Sequence, residues 1–308
     1  MSGGVFRILA IDGGGIRGAF PAHVLNCIKQ RLGIDIHNHF DMVAGTSTGS
    51  IVAAAVVRRI DPAKVVAFYR EHGPVIFERK KSLWPDRCQP GVQSIYESGT
   101  LKQILRKTFG DVKLGEISSP LLIPATDIGN GGVHVFKSAY QAEEDYQRDG
   151  NVPLYEAILA SCSAPTYFDP TKVGEYLLAD GGLWANNPSL AAVIDAKRRL
   201  GVSLSDIRIL SLGTGHAKTC YGTRYAKGWG LLSGWKGKEF INFLMSLQGQ
   251  TTNNYLQLML KPDQILRLDF DSDCALPLDD CSALDDLVSN ADRMFTHNSS
   301  RIKNFLTN

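Results

Sequence analysis

Apolar and polar positions along this chain alternate between two habits. Residues 5–11 (VFRILAI) form a short, nearly continuous apolar run that stops at Asp12 and a run of glycines, as a buried strand does. The period then changes: Phe20, Val24, Leu25, Ile28 and Leu32 recur at helical spacing. Residues 40–44 read as a second strand, stopping at Gly45, and the Ala/Val-rich run 48–59 as a second helix. Strand, glycine turn and helix, twice in succession, predict parallel strands joined by crossover helices.

The same reading predicts helices over 101–109, 154–161, 188–200, 236–260 and 284–306. It predicts strands over 121–128, 133–136, 175–179, 207–212 and 265–270, with a hairpin turn at Gly129-Asn130-Gly131-Gly132. The 175–179 strand delivers Asp180, and the 207–212 strand ends at Gly213-Thr214-Gly215. Residues 73–100 break the pattern with Pro74, Pro85, Pro90, Gly91 and Gly99, and read as an irregular excursion that could serve as a lid. With no repeat and no low-complexity linker, the expectation is one domain over 1–308.

Composition narrows the class. Of 308 residues, 44% are hydrophobic and 21% charged, enough to bury a large core. A net charge of +2 does not suggest binding of a nucleic-acid polymer. The cysteines (27, 88, 162, 220, 274 and 281) are scattered without a CxxC pair. That speaks against a disulfide or zinc framework and for a reducing cytosol. There is no signal-like segment and no long apolar window, so a lipid substrate would be met at a surface.

Three short stretches carry candidate chemistry. Gly45-Thr46-Ser47-Thr48-Gly49, between a strand and a helix, has the form of a nucleophile elbow: the serine is lifted on a sharp turn, and Gly45 and Gly49 keep side chains away. A plain tight turn is the simpler alternative. The loop Gly13-Gly14-Gly15-Ile16-Arg17-Gly18 also fits the dinucleotide fingerprint, but the next strand ends in the serine elbow instead of an acid. Its backbone N–H groups suit an oxyanion beside Ser47, with Arg17 supporting the loop or meeting a lipid phosphate. For the base, Asp180 heads Asp180-Gly181-Gly182 at a strand end and could take the proton directly. A Ser47-Asp180-His216 triad in the chain order of α/β-hydrolases is the rival. A nucleotide-binding module is the rival from outside enzymology.

Asp12 to Gly18 (DGGGIRG), Gly45 to Gly49 (GTSTG) and Asp180 to Gly182 (DGG) resemble the signature elements of patatin-like phospholipases. The likeness extends to Ser163-Ala164-Pro165-Thr166-Tyr167-Phe168, to Trp184-Ala185-Asn186-Asn187-Pro188 and to the 210–215 strand, and is looser beyond 215. The resemblance implies an α/β fold, a three-layer α/β/α sandwich with a mainly parallel central sheet. It implies lipid acyl hydrolysis by a Ser47–Asp180 dyad, with the oxyanion hole in the glycine loop (Gly13, Gly14, Gly15, with Arg17 and Gly18), and no metal or cofactor. The compact length is most similar to bacterial members, including antiphage effectors switched on by a cyclic nucleotide. That implies a cytoplasmic enzyme working peripherally on a phospholipid membrane, a cyclic dinucleotide activator, and a homodimer or higher assembly as one option.

Other features read as less specific. Residues 216–238 hold Lys218, Arg224, Lys227, Lys236 and Lys238 with Tyr221, Tyr225, Trp229 and Trp235 and no acid, suiting a headgroup surface or an anionic activator as well as a solvated loop. Residues 79–87 with Trp84 form a second such patch. Asp269, Asp271 and Asp273 imitate a calcium loop but lack its glycine and final glutamate, and read as a solvated acidic stretch. Cys162 reads as a small buried thiol.

Overall fold

A computed structural model describes residues 4–81, 92–140, 148–217, 229, 235, 238–272 and 276–307. Its strands are β1 (Phe6–Ile11), β2 (Met42–Gly45), β3 (Leu121–Asp127), β4 (Gly132–Lys137), β5 (Thr171–Val173), β6 (Tyr176–Asp180), β7 (Ile207–Leu212), β8 (His216–Ala217), β9 (Ile265–Leu268) and β10 (Asp271–Ser272). The central sheet has the order β5-β6-β3-β2-β1-β7-β9, with β4 also paired to β3. From β3 across β2, β1 and β7 to β9 every pairing is parallel, whereas β3–β4, β3–β6 and β5–β6 are antiparallel. The short β8 and β10 pair separately.

The helices are α1 (Ala19–Leu32), α2 (Ile36–His39), α3 (Thr48–Val57), α4 (Pro62–Ile76), α5 (Ser98–Phe109), α6 (Leu154–Ser161), α7 (Gly182–Ala185), α8 (Ser189–Arg199), α9 (Lys238–Met259) and α10 (Leu284–Thr307). Along β1, Leu9 and Ile11 join a core built with α1, α3, α4, α5, α6 and α10. The alternate residues Ile8 and Ala10 join a second core with α8 and α9. Alternation along one strand thus feeds two apolar layers, which is why β1 reads as a continuous apolar run. The layered α/β sandwich matches the expectation.

Local chemistry sets the boundaries. α1 ends where Gly33, at φ +68°, turns left-handed and donates its N–H to the Lys29 carbonyl. α4 starts with Asp61, whose carboxylate accepts from Ala63 N at 2.9 Å, and with Pro62 in the first turn. The expected excursion is corrected at both ends. α4 runs through Pro74 to Ile76, because the proline lies in the final turn, and α5 begins at Ser98. Lys80, in the basic run, donates to Ser94 and Asp169 at 2.8 and 2.9 Å. Trp84, Pro85, Arg87, Pro90 and Gly91 lie outside the described residues, as do Lys218, Tyr221, Arg224, Tyr225, Lys227 and Lys236. Among the described residues no helix is long and apolar enough to cross a membrane.

Candidate active site

β2 runs directly into Ser47, which stands before α3 at φ 53°, ψ −127°, in the left-handed half of the map where side chains are rarely tolerated. Such a conformation costs on the order of 1–3 kcal/mol and persists only where the surroundings impose it. Here they do. Ser47 N–H donates to Ser161 Oγ at 2.9 Å, and Ser161 Oγ donates to the Pro124 carbonyl at 2.6 Å. Ser50 Oγ donates to the Ser47 carbonyl at 2.6 Å. A side chain at Gly45 would collide with the Gly49 carbonyl, and one at Gly49 with the Ile11 carbonyl. The hydroxyl-bearing turn is therefore packed from below and clear on its working side.

Asp180 ends β6 and is 1% exposed. Its N–H donates to the Ser163 carbonyl at 2.9 Å, and its Oδ1 accepts from Gly182 N at 2.6 Å. Oδ2 has no hydrogen-bond partner among the described residues. Burial raises the carboxyl pKa from 3.8 to about 7, while the Gly182 N–H and the Ser47 hydroxyl pull it part of the way down. Gly181 is required because a side chain there would strike the Pro124 carbonyl.

The glycine loop lies against the elbow: a Cβ at Gly13 would sit 3.2 Å from Ser47 Cβ. Its residues divide by role. Gly13 N–H is already given to the Asn186 carbonyl at 3.0 Å, and Gly18 packs under Tyr69 and Thr48. Among the described residues the N–H groups of Gly14 and Gly15 have no partner. Arg17 turns away from the substrate space: it donates from Nε to the Gly14 carbonyl at 3.1 Å and from Nη1 to the Gly215 carbonyl at 3.3 Å. Burial lowers its pKa against the opposing pull of Asp269. Of the five loop candidates, two present free donors and three shape or brace them.

Behind the loop, Asp12 is clamped by Arg267, with Nη1 to Oδ1 at 2.9 Å and Nη2 to Oδ2 at 2.6 Å. Arg267 also donates to Ser211 Oγ at 2.8 Å and to Asp269 Oδ2 at 2.6 Å. Asp269 Oδ1 accepts from Gly215 N at 2.9 Å. This corrects the reading of the acidic stretch at Asp269 alone, which is a structural hub because the chain returns it to the glycine loop; Asp271 is exposed, and Asp273 lies outside the described residues. Burial raises the Asp12 carboxyl from 3.8 to about 6, with Arg267 opposing. Sequence reasoning missed Ser161 and Arg267; an isolated serine and an arginine on a distant strand carry no local signal.

His216 does not join Ser47. Its Nε2 lies 3.0 Å from Ser246 Oγ and 3.1 Å from Gln250 Nε2, both on α9. Among the described residues no hydrogen bond links it to Ser47 or Asp180.

Ser47, Asp180 and Gly15 open into one cavity. Its walls include Phe68, Ile76, Phe77, Leu101 and Phe168, with Met245 contributed by α9. Cys162 also lines it, and burial pushes that thiol far above its usual pKa, so it stays protonated and unreactive.

The family model for patatin-like phospholipases matches residues 9–193, more than half of the chain and all three motifs just described. The chain belongs to the patatin-like phospholipase family. Among similar patatins is a "cGAMP-activated phospholipase" from Escherichia coli (strain TW11681), 32% identical, with the match covering 68% of this chain and 62% of that protein. A "cGAMP-activated phospholipase" from Vibrio cholerae is 26% identical over 96% of this chain and 92% of its own length. "Patatin-like protein 2" from Arabidopsis thaliana is 30% identical over 75% of this chain and 65% of that protein. This patatin thus spans less than two thirds of the Escherichia coli and Arabidopsis thaliana relatives.

Proposed function

We propose that this patatin hydrolyses fatty-acyl esters of membrane glycerophospholipids through a Ser47–Asp180 dyad and a covalent acyl-enzyme. The observation that carries the reading is convergence. A strained serine, a buried carboxylate with a free oxygen and two free backbone donors surround the polar lining of one apolar cavity. The aromatic and aliphatic walls of the cavity suit an acyl chain.

Ser47 Oγ attacks the ester carbonyl carbon as its proton passes to Asp180. The oxyanion is received by Gly14 N–H and Gly15 N–H. Collapse breaks the carbon–oxygen bond to the glycerol, whose alkoxide takes the proton from Asp180. Water then attacks the acyl-enzyme, gives its proton to Asp180, and Ser47 recovers that proton as the fatty acid leaves. A carboxylate with pKa about 7 suits both halves, being readily ionised and readily protonated near neutral pH.

The cyclic-nucleotide-activated relatives support a second layer of the reading, gating by a cyclic dinucleotide; the reading also takes the enzyme as single-domain, cytoplasmic and peripheral to the membrane. The test is fatty-acid release from phosphatidylglycerol and phosphatidylethanolamine vesicles, with and without cyclic dinucleotides, alongside fluorophosphonate labelling. Labelling at Ser47 with acyl release is the expected result. Release that persists in Ser47→Ala overturns the dyad, and full release unaffected by any cyclic dinucleotide overturns gating alone.

A further inference from the structure

On the side of the molecule formed by α1 and α10, three metal-ligating side chains of different kinds meet away from the cavity. His23 and Cys27 lie one turn apart on the same face of α1, and Asp292 reaches them from α10. His23 Nε2 is 3.3 Å from Asp292 Oδ2, and Cys27 Sγ is 3.5 Å from Asp292 Oδ1. All three donor atoms fall within 4.8 Å of one another. Tetrahedral zinc, with its usual bond lengths to nitrogen, sulfur and oxygen, sets donor separations of roughly 3.4–3.6 Å. Each of the two separations is close to such an edge, but they run to different oxygens of the one carboxylate, so Asp292 would turn slightly to share a single oxygen with both partners.

We propose that His23, Cys27 and Asp292 bind a zinc-type divalent ion that ties α10 to α1. Two further observations point to a ligand. His23 Nε2 is buried yet makes no hydrogen bond of proper geometry. Arg31, one turn beyond Cys27, holds Asp292 Oδ1, which orients the carboxylate as an outer-shell partner does and presents Oδ2 towards His23. Cys27 is buried and Asp292 is 41% exposed, so the site has a closed thiol floor and a solvent side where water completes the coordination. Binding releases the Cys27 proton, because the thiolate is the ligand. The scattered cysteines speak against a zinc framework built from Cys pairs, whereas the ligands here are one each of His, Cys and Asp from two helices far apart in sequence. α1 follows directly on the Gly15–Gly18 turn, so the ion would fasten the helix that carries the glycine loop.

The test uses the full chain, stripped with chelator and titrated with cadmium while thiolate-to-metal charge-transfer absorption is recorded. One equivalent with a saturating band is expected in the wild type. In Cys27→Ser the band should be lost, and in His23→Gln and Asp292→Asn affinity should fall at least tenfold, with unchanged circular dichroism in each metal-free variant. Zinc should raise the thermal midpoint of the wild type and not of His23→Gln. A band that survives in Cys27→Ser, or affinity unchanged in both other variants, overturns the proposal. So does the absence of any band. Should Cys27→Ser not fold, the His23→Gln titration decides alone.

Discussion

Two buried polar regions flank the glycine loop, and they are built on opposite rules. On one side Asp12, Arg267, Asp269, Ser211 and the Gly215 backbone pair their charges and, apart from Arg267 Nε, their donors with one another. On the other, Asp180 Oδ2, Asn186 Oδ1 and the Gly14 and Gly15 N–H groups are left without partners among the described residues. Burying unpaired polar groups costs stability, so their concentration beside Ser47 marks where a substrate is meant to complete the set. The paired side is what allows the unpaired side to stand.

The largest effect expected is on the unpaired side. Ser47→Ala should lower acyl release at least about ten-thousand-fold with little change in thermal midpoint, read by vesicle hydrolysis and calorimetry. Next, Arg267→Met leaves the buried Asp12 carboxylate and the partly buried Asp269 carboxylate without their shared cation. It should cost about 3–5 kcal/mol in urea unfolding, as removal of one partner from a buried pair does. An unchanged midpoint would show that the two sides do not differ as described.

Asp180→Asn should separate the two rules in one residue. Activity falls by orders of magnitude, yet stability rises. The wild-type carboxyl has a folded pKa of about 7, above its ordinary value of 3.8, so its contribution is full below about pH 4 and lost as pH climbs through 7. The variant should therefore melt higher than wild type at pH 8 and equal to it near pH 4. The same ionisation should make wild-type kcat/KM rise with pH through about 7. The smallest effect belongs to His216→Ala, expected to leave acyl release within about twofold. A loss matching that of Ser47→Ala would restore the histidine triad.

Much of this was legible in the sequence because it is local. A glycine-bounded serine after an apolar run, and an aspartate before two glycines, announce backbone turns that few other residues permit. The same holds for β1, α1, β2 and the β3–β4 hairpin, each written in its own periodicity. What escaped was long-range. Ser161 meets Ser47 only because α6 packs against β3, and Arg267 meets Asp12 only because β9 joins the sheet beside β7. α4 was obscured by Pro74, read as a breaker although a proline in a final turn displaces little. Of the two roles the sequence left open for Arg17, its hydrogen bonds to the Gly14 and Gly215 carbonyls fit support of the loop.

Gly215 is gripped at both ends of one residue: Asp269 receives its N–H, and Arg17 donates to its carbonyl. The chain is held again one residue on, where His216 donates its N–H to the Phe270 carbonyl at 2.7 Å as β8 pairs with β10. A chain moored this way passes on little tension, as a rope made fast to a cleat leaves the deck still. Whatever seizes the stretch beyond it would leave the oxyanion donors where they are. Control exerted from there would act on admission to the cavity, not on assembly of the chemistry.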